Sequence, residues 1–325
     1  MKLLVTGGAG YIGSVVAAQL IEDGHEVVVL DDLSTGHADG VPRGAVFIEG
    51  DLRTGAAAVL ATGIDAVLHF AAKSLVAESV ARPALYWHSN LGGTLALLEA
   101  MREARVGRIV FSSSAAVYGE PESVPIEETA PTRPANPYGA SKLAVDTTLA
   151  EYARMHGFGA VSLRYFNVAG AHRERGGGWL GERHDPETHL IPTILSVALT
   201  GAGEVAMFGD DYPTPDGTCI RDYIHVADLA RAHLLALSAC APGEHKIFNV
   251  GSGSGFSNRE VLAACRDVTG RAIPSRMAGR RPGDPAALIA SSDRIRAGLD
   301  WRATRSLTDM VADSWAFAES RAGAR

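Results

Sequence analysis

Apolar strand segments that alternate with helical segments constrain the fold of this chain more than any other feature. The stretch at 2–6 is followed by a glycine-rich turn and a helical pattern through 14–24, and the next strand, EVVVLDDL, ends in two aspartates. Further strands are predicted at 45–51, 65–72, 108–114 and 160–167, with helices at 84–105 and 138–157. Nearly continuous apolar strands separated by helices are typical of a parallel sheet covered on both faces. We therefore predict an α/β fold with a doubly wound parallel sheet.

The character of the sequence changes after residue 167. Residues 170–189 are polar and glycine-rich, which predicts a long loop or flap. The segments RDYIHVADLARAHLLAL and KIFNVGSG indicate a return to the sheet domain. We predict one domain over 1–168, to which the chain returns around 221–251, and a smaller α+β lobe from 169–220 and 252–325. This lobe is expected to face the carboxyl ends of the strands, where open α/β sheets bind ligands.

Charge and composition exclude several classes of protein. The formal net charge of −7 argues against a nucleic-acid partner, so any phosphate-bearing ligand needs a local site. The longest apolar stretches are too short for a membrane span, and MKLLVTGGAG is too short an apolar run for a signal peptide. The three cysteines, Cys219, Cys240 and Cys265, are far apart, which indicates neither disulfides nor a zinc site. We predict a cytoplasmic protein without a metal.

The first turn, TGGAGYIG, allows two overlapping glycine patterns. One pattern is Gly7-x-x-Gly10-x-x-Gly13, and the other begins at Gly8. A glycine-rich turn by itself is often only structural. Here it follows a strand and opens a helix, where glycines let backbone N–H groups approach a pyrophosphate. The position favours a dinucleotide site and makes the fold Rossmann-type.

Asp31 indicates which dinucleotide the turn would bind. It ends the second predicted strand, about 20 residues beyond the glycine turn, where a carboxylate can hold the ribose hydroxyls of the adenosine. The same charge would repel a 2′-phosphate, and the adjacent Asp32 adds to that repulsion, although one of the two carboxylates could be merely solvated. The predicted cofactor is NAD.

The stretch NPYGASK predicts the chemistry. It places Tyr138 and Lys142 four residues apart, on one face of a helix. Such pairs are usually ordinary surface neighbours. Behind a dinucleotide site, however, a lysine can favour the phenolate of a tyrosine whose ordinary pKa is near 10, and so make it a base. A hydroxyl at the end of the preceding strand would complete the site, and FSSSAAVYG offers Ser112, Ser113 and Ser114.

Motifs along almost the whole chain resemble one family, the UDP-glucose 4-epimerases of the extended short-chain dehydrogenase/reductases. VTGGAGYIGS and the Tyr–Lys motif are shared across the superfamily, whereas SSSAAVYG and DYPTPDGTCIRDYIHV are more specific to the epimerases. Further matching stretches are DDLSTG, GDLR, HFAAKSLVAES, LRYFNVAGAH, FNVGSG and RRPGDPA.

The resemblance implies roles for the catalytic residues. Tyr138 would remove the proton of the sugar 4-hydroxyl, Ser114 would hydrogen-bond that oxygen, and Lys142 would tune Tyr138 and bind the nicotinamide ribose. The expected reaction is reversible NAD-dependent 4-epimerisation of UDP-galactose and UDP-glucose through a transient 4-keto sugar nucleotide. NAD would be regenerated in each cycle.

The resemblance also implies two sets of binding residues. The cofactor set comprises Gly7, Gly10, Tyr11, Ile12, Gly13, Asp31, Asp32, Ser34, Gly36, Asp51, Leu52, Phe70, Ala71, Lys73, Asn90, Ser112, Tyr138, Lys142, Tyr165 and Phe166. The substrate set comprises Ser114, Tyr138, Asn167, Leu190, Phe208, Arg221, Arg281, Asp284 and Leu288. In this second set the two arginines would hold the diphosphate, and Asp284 would hold the uridine ribose.

Two positions leave the substrate range open. His189 stands where relatives often carry an asparagine that touches the ligand. Leu288 stands at a position that gates substrate size, and a leucine there is intermediate between the aromatic residues that exclude N-acetylated sugars and the small residues that admit them. UDP-GlcNAc and UDP-GalNAc are therefore further possible substrates.

Other functions compete with this interpretation. A 4,6-dehydratase would need carboxylates where Ala115 and Ala116 stand. A UDP-glucuronate 4-epimerase would need more basic or polar groups for the C5 carboxylate, and a non-catalytic NAD-binding protein would not need Ser114, Tyr138 and Lys142 intact. The family further implies a homodimer that pairs through the helices predicted at 84–105 and 138–157.

Overall fold

A computed structural model describes residues 1–281 and 283–323. Its strands are β1 (Lys2–Thr6), β2 (Glu26–Asp31), β3 (Val46–Glu49), β4 (Ala66–His69), β5 (Arg108–Ser112), β6 (Gly159–Tyr165), β7 (Asn167–Ala169), β8 (Ala171–Arg173), β9 (Trp179–Gly181), β10 (Val205–Phe208), β11 (Ile220–His225), β12 (His245–Val250), β13 (Gly255–Ser257), β14 (Ser275–Ala278) and β15 (Ala287–Leu288).

The helices connect these strands and cover the central sheet. They are α1 (Tyr11–Glu22), α2 (Leu52–Leu60), α3 (Val76–Ala81), α4 (Pro83–Tyr86), α5 (Gly93–Glu103), α6 (Pro137–His156), α7 (Leu190–Thr200), α8 (Val226–Ser238), α9 (Asn258–Thr269), α10 (Asp293–Leu299) and α11 (Leu307–Ala322). A π-helical segment, Trp87–Gly92, joins α4 to α5, so the helix predicted at 84–105 is wound unevenly.

The centre of the molecule is a parallel sheet of seven strands in the order β12-β6-β5-β4-β1-β2-β3. Residues of α1 and α8, such as Val16 and Leu229, pack with residues of the strands on one face. Residues of α2, α5 and α6, such as Val59, Leu97 and Leu149, pack on the other face. This architecture confirms the predicted doubly wound sheet of Rossmann type.

A second, smaller set of strands lies beyond β6. The chain leaves the central sheet at Phe166, and β7 pairs with β11, which also pairs with β13 and β15. Helices α7, α9 and α11 share a core with these strands, built around residues such as Ile194, Val261 and Met310. The chain was predicted to return to the sheet domain around 221–251. Strand β12 does join the central sheet and α8 packs against it, whereas β11 belongs to the second sheet. The boundaries of two separate domains remain a prediction.

The predicted loop over 170–189 is wrong for two short stretches. Strands β8 and β9 form an antiparallel hairpin, closed by a turn in which the Glu174 N–H donates to the Gly178 carbonyl at 2.9 Å. Leu180 of β9 is buried in the core that α1 shares with the central sheet. That non-local burial stabilises a hairpin which the polar, glycine-rich composition did not indicate. Within the described residues, no helix is long and apolar enough to cross a membrane.

Candidate active site

A cavity of about 560 Å³ opens at the carboxyl ends of the central strands. The predicted cofactor residues on its wall are Gly7, Gly10, Tyr11, Ile12, Gly13, Asp31, Asp32, Ser34, Gly36, Asp51, Leu52, Phe70, Ala71, Lys73, Ser112, Tyr138, Lys142, Tyr165 and Phe166. The predicted substrate residues on the same wall are Ser114, Tyr138, Asn167, Asp284 and Leu288. One continuous space therefore joins most of the two predicted sets.

The glycine turn between β1 and α1 has room for a phosphate group. Gly7 has a φ of +73°, and a β-carbon there would lie 2.5 Å from the Ala71 N atom, so the turn and the end of β4 can approach only because a side chain is missing. Gly10 is the N-cap of α1, and no side chain of the described residues caps the helix. The first N–H groups of a 12-residue helix therefore face the cavity, an arrangement that fits the pyrophosphate of NAD.

Asp31 is held in place by backbone groups. Its two carboxylate oxygens accept hydrogen bonds from the Ala9 and Leu33 N–H groups, each at 2.9 Å. Burial raises the pKa of the carboxyl, and the backbone hydrogen bonds oppose that rise. Asp32 is exposed, and its carboxylate accepts from the Ser34 N–H at 2.9 Å. Asp31 is thus the oriented acceptor that a ribose requires.

Lys73 extends over the cofactor end of the cavity, and its Nζ donates to Ser34 Oγ at 3.0 Å. Asn90 is buried behind it and lies outside the cavity wall. The Asn90 side chain accepts from the Lys73 N–H at 2.8 Å and donates to the Lys73 carbonyl and to Ser141 Oγ, both at 3.0 Å. Ser141 Oγ in turn donates to the Tyr138 carbonyl at 2.7 Å. Asn90 therefore connects the loop after β4 to helix α6.

Asp51 and Leu52 lie at the start of α2. The Asp51 carboxylate accepts from the Arg53 N–H at 2.8 Å as the N-cap of that helix. Arg53, which sequence reasoning did not identify, also pairs with Asp51 through its guanidinium and lines the cavity. The guanidinium lowers the pKa of the Asp51 carboxyl to about 2. Both side chains are charged at neutral pH at this end of the cavity.

The three candidate serines have different environments. Ser112 ends β5 and hydrogen-bonds the Tyr165 hydroxyl. Ser113 is fully buried, and its hydroxyl donates to the Asp146 carboxylate at 3.2 Å, which also pairs with Arg164. Ser114 lies on the cavity wall and caps the short 3-10 helix Ala115–Val117. The serine beside Tyr138 is Ser114.

Helix α6 positions Tyr138 against Ser114. Asn136 is the N-cap, Pro137 opens the helix, and Tyr138 follows on its first turn. The next residue, Gly139, passes so close to the loop after β5 that a β-carbon there would lie 2.4 Å from the Ala116 carbonyl oxygen. The absence of a side chain at this position allows the phenol to reach the Ser114 hydroxyl.

Burial dominates the protonation of Tyr138 and Lys142. It raises the pKa of the Tyr138 phenol, and the hydrogen bond with Ser114 opposes that rise. Burial lowers the pKa of Lys142 to about 8, while the charge of Asp146 works in the opposite direction. The Lys142 Nζ donates to the Ser112 carbonyl at 2.7 Å and lies 5.9 Å from the centre of the Tyr138 ring. Lys142 is therefore mainly cationic at pH 7, close to a phenol that needs a cation to ionise.

The remaining predicted substrate residues surround the second sheet. Arg221 pairs with the Asp284 carboxylate and donates to the Ile220 carbonyl at 2.7 Å. The Arg281 guanidinium lies 4.0 Å from the centre of the Phe208 ring. Leu190 begins α7. Leu190, Phe208, Arg221 and Arg281 are outside the cavity wall that the described residues form, although Arg221 reaches it through Asp284.

Sequence reasoning missed an acidic and histidine-rich part of the cavity wall. Glu182 and His184 line the cavity together with His189, and Glu187 lies beside them. The signal in the sequence is the spacing Glu-x-His-x-x-Glu-x-His over 182–189, which the prediction of a polar flap did not use.

Comparisons with known proteins agree with this geometry. The model of the NAD dependent epimerase/dehydratase family matches residues 3–251. The chain belongs to the NAD dependent epimerase/dehydratase family. Within this family it is similar to two curated proteins named UDP-glucose 4-epimerase. One, from Streptomyces lividans, is 57% identical over 98% of this chain and 96% of that protein. The other, from Corynebacterium glutamicum, is 53% identical over 98% of this chain and 95% of that protein.

A solved structure in the family extends the similarity to the fold. It is the crystal structure of UDP-glucose 4-epimerase from Stenotrophomonas maltophila with bound NAD and formylated UDP-arabinopyranose. It superposes with a TM-score of 0.94 at 41% identity and covers 100% of both chains. The predicted family is thereby confirmed, and so is the prediction that NAD is the cofactor.

Proposed function

We propose that this protein is an NAD-dependent 4-epimerase that interconverts UDP-galactose and UDP-glucose. One observation carries the proposal: Ser114, Tyr138 and Lys142 lie on the wall of a single cavity, with the glycine turn and Asp31 at one end and Asp284 and Leu288 at the other. Relatives that match nearly the whole chain are named for this activity, which supports the same assignment.

Tyr138 is the group that would take the proton from the sugar 4-hydroxyl. Its phenol faces the cavity and contacts the Ser114 hydroxyl, which can hold the same substrate oxygen. Because burial keeps the phenol protonated, its conversion to a base requires positive charge nearby, and Lys142 supplies one such charge. NAD, when bound, would supply the acceptor for the C4 hydride and the source from which that hydride returns to the sugar.

The return step uses the same residues in reverse. Tyr138, now protonated, would give its proton back to the O4 atom of the 4-keto sugar, and Ser114 would hold that oxygen in both directions. Ala115 and Ala116, which follow Ser114 on the cavity wall, have no carboxyl group to assist loss of water from the sugar. These short side chains favour epimerisation over dehydration.

Two arginine-centred pairs are the proposed anchors for the nucleotide diphosphate. Arg221 is nearly buried and already faces the carboxylate of Asp284, and a guanidinium suits two phosphate oxygens. Arg281 lies over the ring of Phe208, which could also stack on a uracil. The Asp284 carboxylate would then leave Arg221 and accept hydrogen bonds from the hydroxyls of the uridine ribose.

The decisive experiment is incubation of the purified protein with UDP-galactose and no added NAD, followed by chromatography of the sugar nucleotides. We expect UDP-glucose to form, because the cofactor is regenerated and stays bound. UDP-glucuronate serves as a parallel substrate. Protein with bound NAD, seen by its absorbance, that yields no UDP-glucose would contradict the proposal. Turnover of UDP-glucuronate alone would assign the related epimerase instead.

We also propose that the protein is a homodimer. Exposed apolar side chains on the segments from α3 to α6 support this: Val80 and Met155 are 64% and 61% exposed, and Trp87 and Leu95 are exposed as well. Burial of such side chains is a usual driving force for subunit association. Light scattering should give twice the mass of the chain, and Trp87→Glu should shift the protein to the monomer. A wild-type monomer would contradict the proposal.

The proposed location is the cytoplasm. Cys219, Cys240 and Cys265 are buried free thiols, as expected in a reducing compartment. Fractionation of cells that produce the protein, with detection by antibody, tests this location. Recovery in the culture medium would contradict it.

A further inference from the structure

Four side chains with metal-binding atoms converge between β9 and α7. They are Glu182, His184, Glu187 and His189, and one ligand atom from each lies within 4.8 Å of all the others. The sequence predicted no metal, because its cysteines have no suitable spacing. The cluster contains no cysteine and comes from one eight-residue segment, and the folded path of this segment brings its four ligand atoms together.

The contacts within the cluster centre on one carboxylate oxygen. Glu182 Oε1 lies 2.9 Å from His184 Nδ1 and 2.6 Å from His189 Nδ1. His184 Nδ1 is buried, yet among the described residues it finds no partner with the geometry of a hydrogen bond. A buried imidazole nitrogen without a hydrogen bond is costly. His184 Nδ1 therefore has carboxylate oxygens at 2.9 and 3.8 Å but no directed hydrogen bond within the described residues.

The fourth side chain is oriented by backbone hydrogen bonds. Glu187 Oε1 accepts from the Thr188 and His189 N–H groups, both at 2.8 Å. This fixes the carboxylate so that Oε1 lies 3.3 Å from His189 Nδ1 and Oε2 lies 3.8 Å from His184 Nδ1. Such outer hydrogen bonds are what hold carboxylate ligands in place around metals.

The distances between the ligand atoms of the cluster suit a small cation at its centre. Four ligands at ~2.0–2.2 Å from a tetrahedral Zn²⁺ lie ~3.3–3.6 Å from one another. The observed contacts of 2.6–3.8 Å bracket that range. Two carboxylates balance the charge of one divalent cation, and imidazole nitrogens select zinc-like transition metals over magnesium or calcium.

We propose that Glu182, His184, Glu187 and His189 form a site for one divalent transition-metal cation of the zinc class. Because all four ligands come from the protein, the site is structural. The cation fixes the segment between the β8–β9 hairpin and α7 against the cavity, whose wall includes Glu182, His184 and His189. His189 is then a metal ligand, which gives a role to the residue that stands where relatives often carry an asparagine.

The test uses Co²⁺ alone as the probe. Tag-free protein is treated with a chelator, exchanged into metal-free buffer and titrated with Co²⁺, and the visible absorbance of four-coordinate cobalt is recorded. We expect one equivalent to bind to the wild type and His184→Ala to lose it. His172→Ala is the matched control, because His172 also pairs with a glutamate, Glu22, but at 3.2 Å and outside the cluster. This control should bind one equivalent.

A second measurement separates loss of the site from loss of the fold. Co²⁺ should raise the melting temperature of the wild type and of His172→Ala, and leave that of His184→Ala unchanged. If His184→Ala does not fold, His189→Ala provides the same comparison, since His189 is half exposed. No bound equivalent in the wild type, or equal binding by the wild type and by a folded cluster variant, would overturn the proposal and leave an ion-pair cluster only.

Discussion

The two ends of the cavity are constructed differently. At the cofactor end, backbone geometry defines the site: a glycine turn at positive φ, an uncapped helix start, and Asp31 held by two N–H groups. Beside the other end, which Asp284 and Leu288 line, the proposed nucleotide anchors are paired side chains: Arg221 pairs with Asp284, and Arg281 lies over Phe208. The first end depends little on side-chain conformation, whereas the proposed nucleotide anchors would have to exchange partners to bind a diphosphate.

This difference separates affinity for the cofactor from recognition of the substrate. Preformed backbone groups lose little freedom on binding, which favours tight, lasting retention of NAD. Side chains that first satisfy one another give up those contacts to the substrate, so they lower the net affinity and ease its release. Such a division suits an enzyme that keeps its cofactor and turns over its sugar.

Removal of the Tyr138 hydroxyl, which lies between the two ends of the cavity, should have the largest effect on turnover. We expect Tyr138→Phe to lower kcat by about 10³-fold, as for loss of a general acid–base group, with NAD still bound. Turnover of UDP-galactose and the absorbance of bound NAD measure the two effects. Tyr152→Phe on the same helix is the control, since its hydroxyl pairs with the exposed Glu99. Near-normal turnover by Tyr138→Phe would refute its role.

Replacement of Lys142 should change the pH dependence as well as the rate. Burial holds the pKa of Tyr138 above its ordinary value, and the hydrogen bond with Ser114 opposes that rise. A nearby positive charge also favours the phenolate and so lowers the pKa. Without Lys142 the phenolate becomes rarer at pH 7 and is recovered as the pH rises. Lys142→Met should therefore lose about 100-fold in kcat at pH 7 and move the rising limb of the pH–rate profile upward.

The control for this experiment is Lys246→Met, which removes a lysine paired with Glu244 away from the cavity. Its profile should match that of the wild type. A Lys142→Met profile that is lower but unshifted would mean that Lys142 binds the ribose without tuning the phenol.

Loss of Arg221 should act on the sugar-nucleotide end alone. We expect Arg221→Gln to raise KM for UDP-galactose by about 10- to 100-fold, since hydrogen bonds between charged groups are worth about 1.5–3 kcal/mol. Bound NAD should be unaffected. The control is Arg280→Gln, which removes an exposed arginine that pairs with Asp211. Equal KM values for Arg221→Gln and the wild type would remove Arg221 from the binding site.

The smallest expected effect is at Leu288. Its backbone pairs with that of Arg221, and its side chain lines the cavity. A larger side chain there should reduce the space for an N-acetyl group without touching the chemistry. Leu288→Tyr should leave turnover of UDP-galactose within about twofold and decrease any turnover of UDP-GalNAc by about tenfold or more. Equal UDP-GalNAc turnover in both proteins would show that Leu288 is not the gate.

The parts of the fold that depend on local pattern were predictable. The central strands, the glycine turn and helix α6 all follow from apolar runs and from glycine or proline at defined positions. The β8–β9 hairpin was not predictable in this way, because burial of Leu180 in a distant core stabilises it. Strand β11 was not predictable either, because its sequence IRDYIH does not indicate which of the two sheets it joins.

The candidate site was likewise predictable only in part. Motifs predicted the glycine turn, Asp31 and the Tyr–Lys pair, and the resemblance supplied the rest of the cofactor set and selected Ser114 among three serines. Contacts between residues distant in sequence could not be predicted. Asn90 hydrogen-bonds Lys73 instead of lining the cavity, and Arg221 pairs with Asp284, 63 residues away. The histidine–glutamate cluster was missed because its segment was assigned to a flap, although its spacing was visible.

The hydrogen bonds around Asn90 join the loop after β4 to the helix that carries Tyr138. Through Asn90 and Ser141, the backbone of Lys73 is tied to the backbone of Tyr138. If cofactor binding shifts the loop after β4, these hydrogen bonds would transmit the shift to Tyr138, and the two binding events would share free energy. Since such coupling is reciprocal, each sugar bound should tighten the hold on NAD by the factor by which NAD tightens the hold on the sugar.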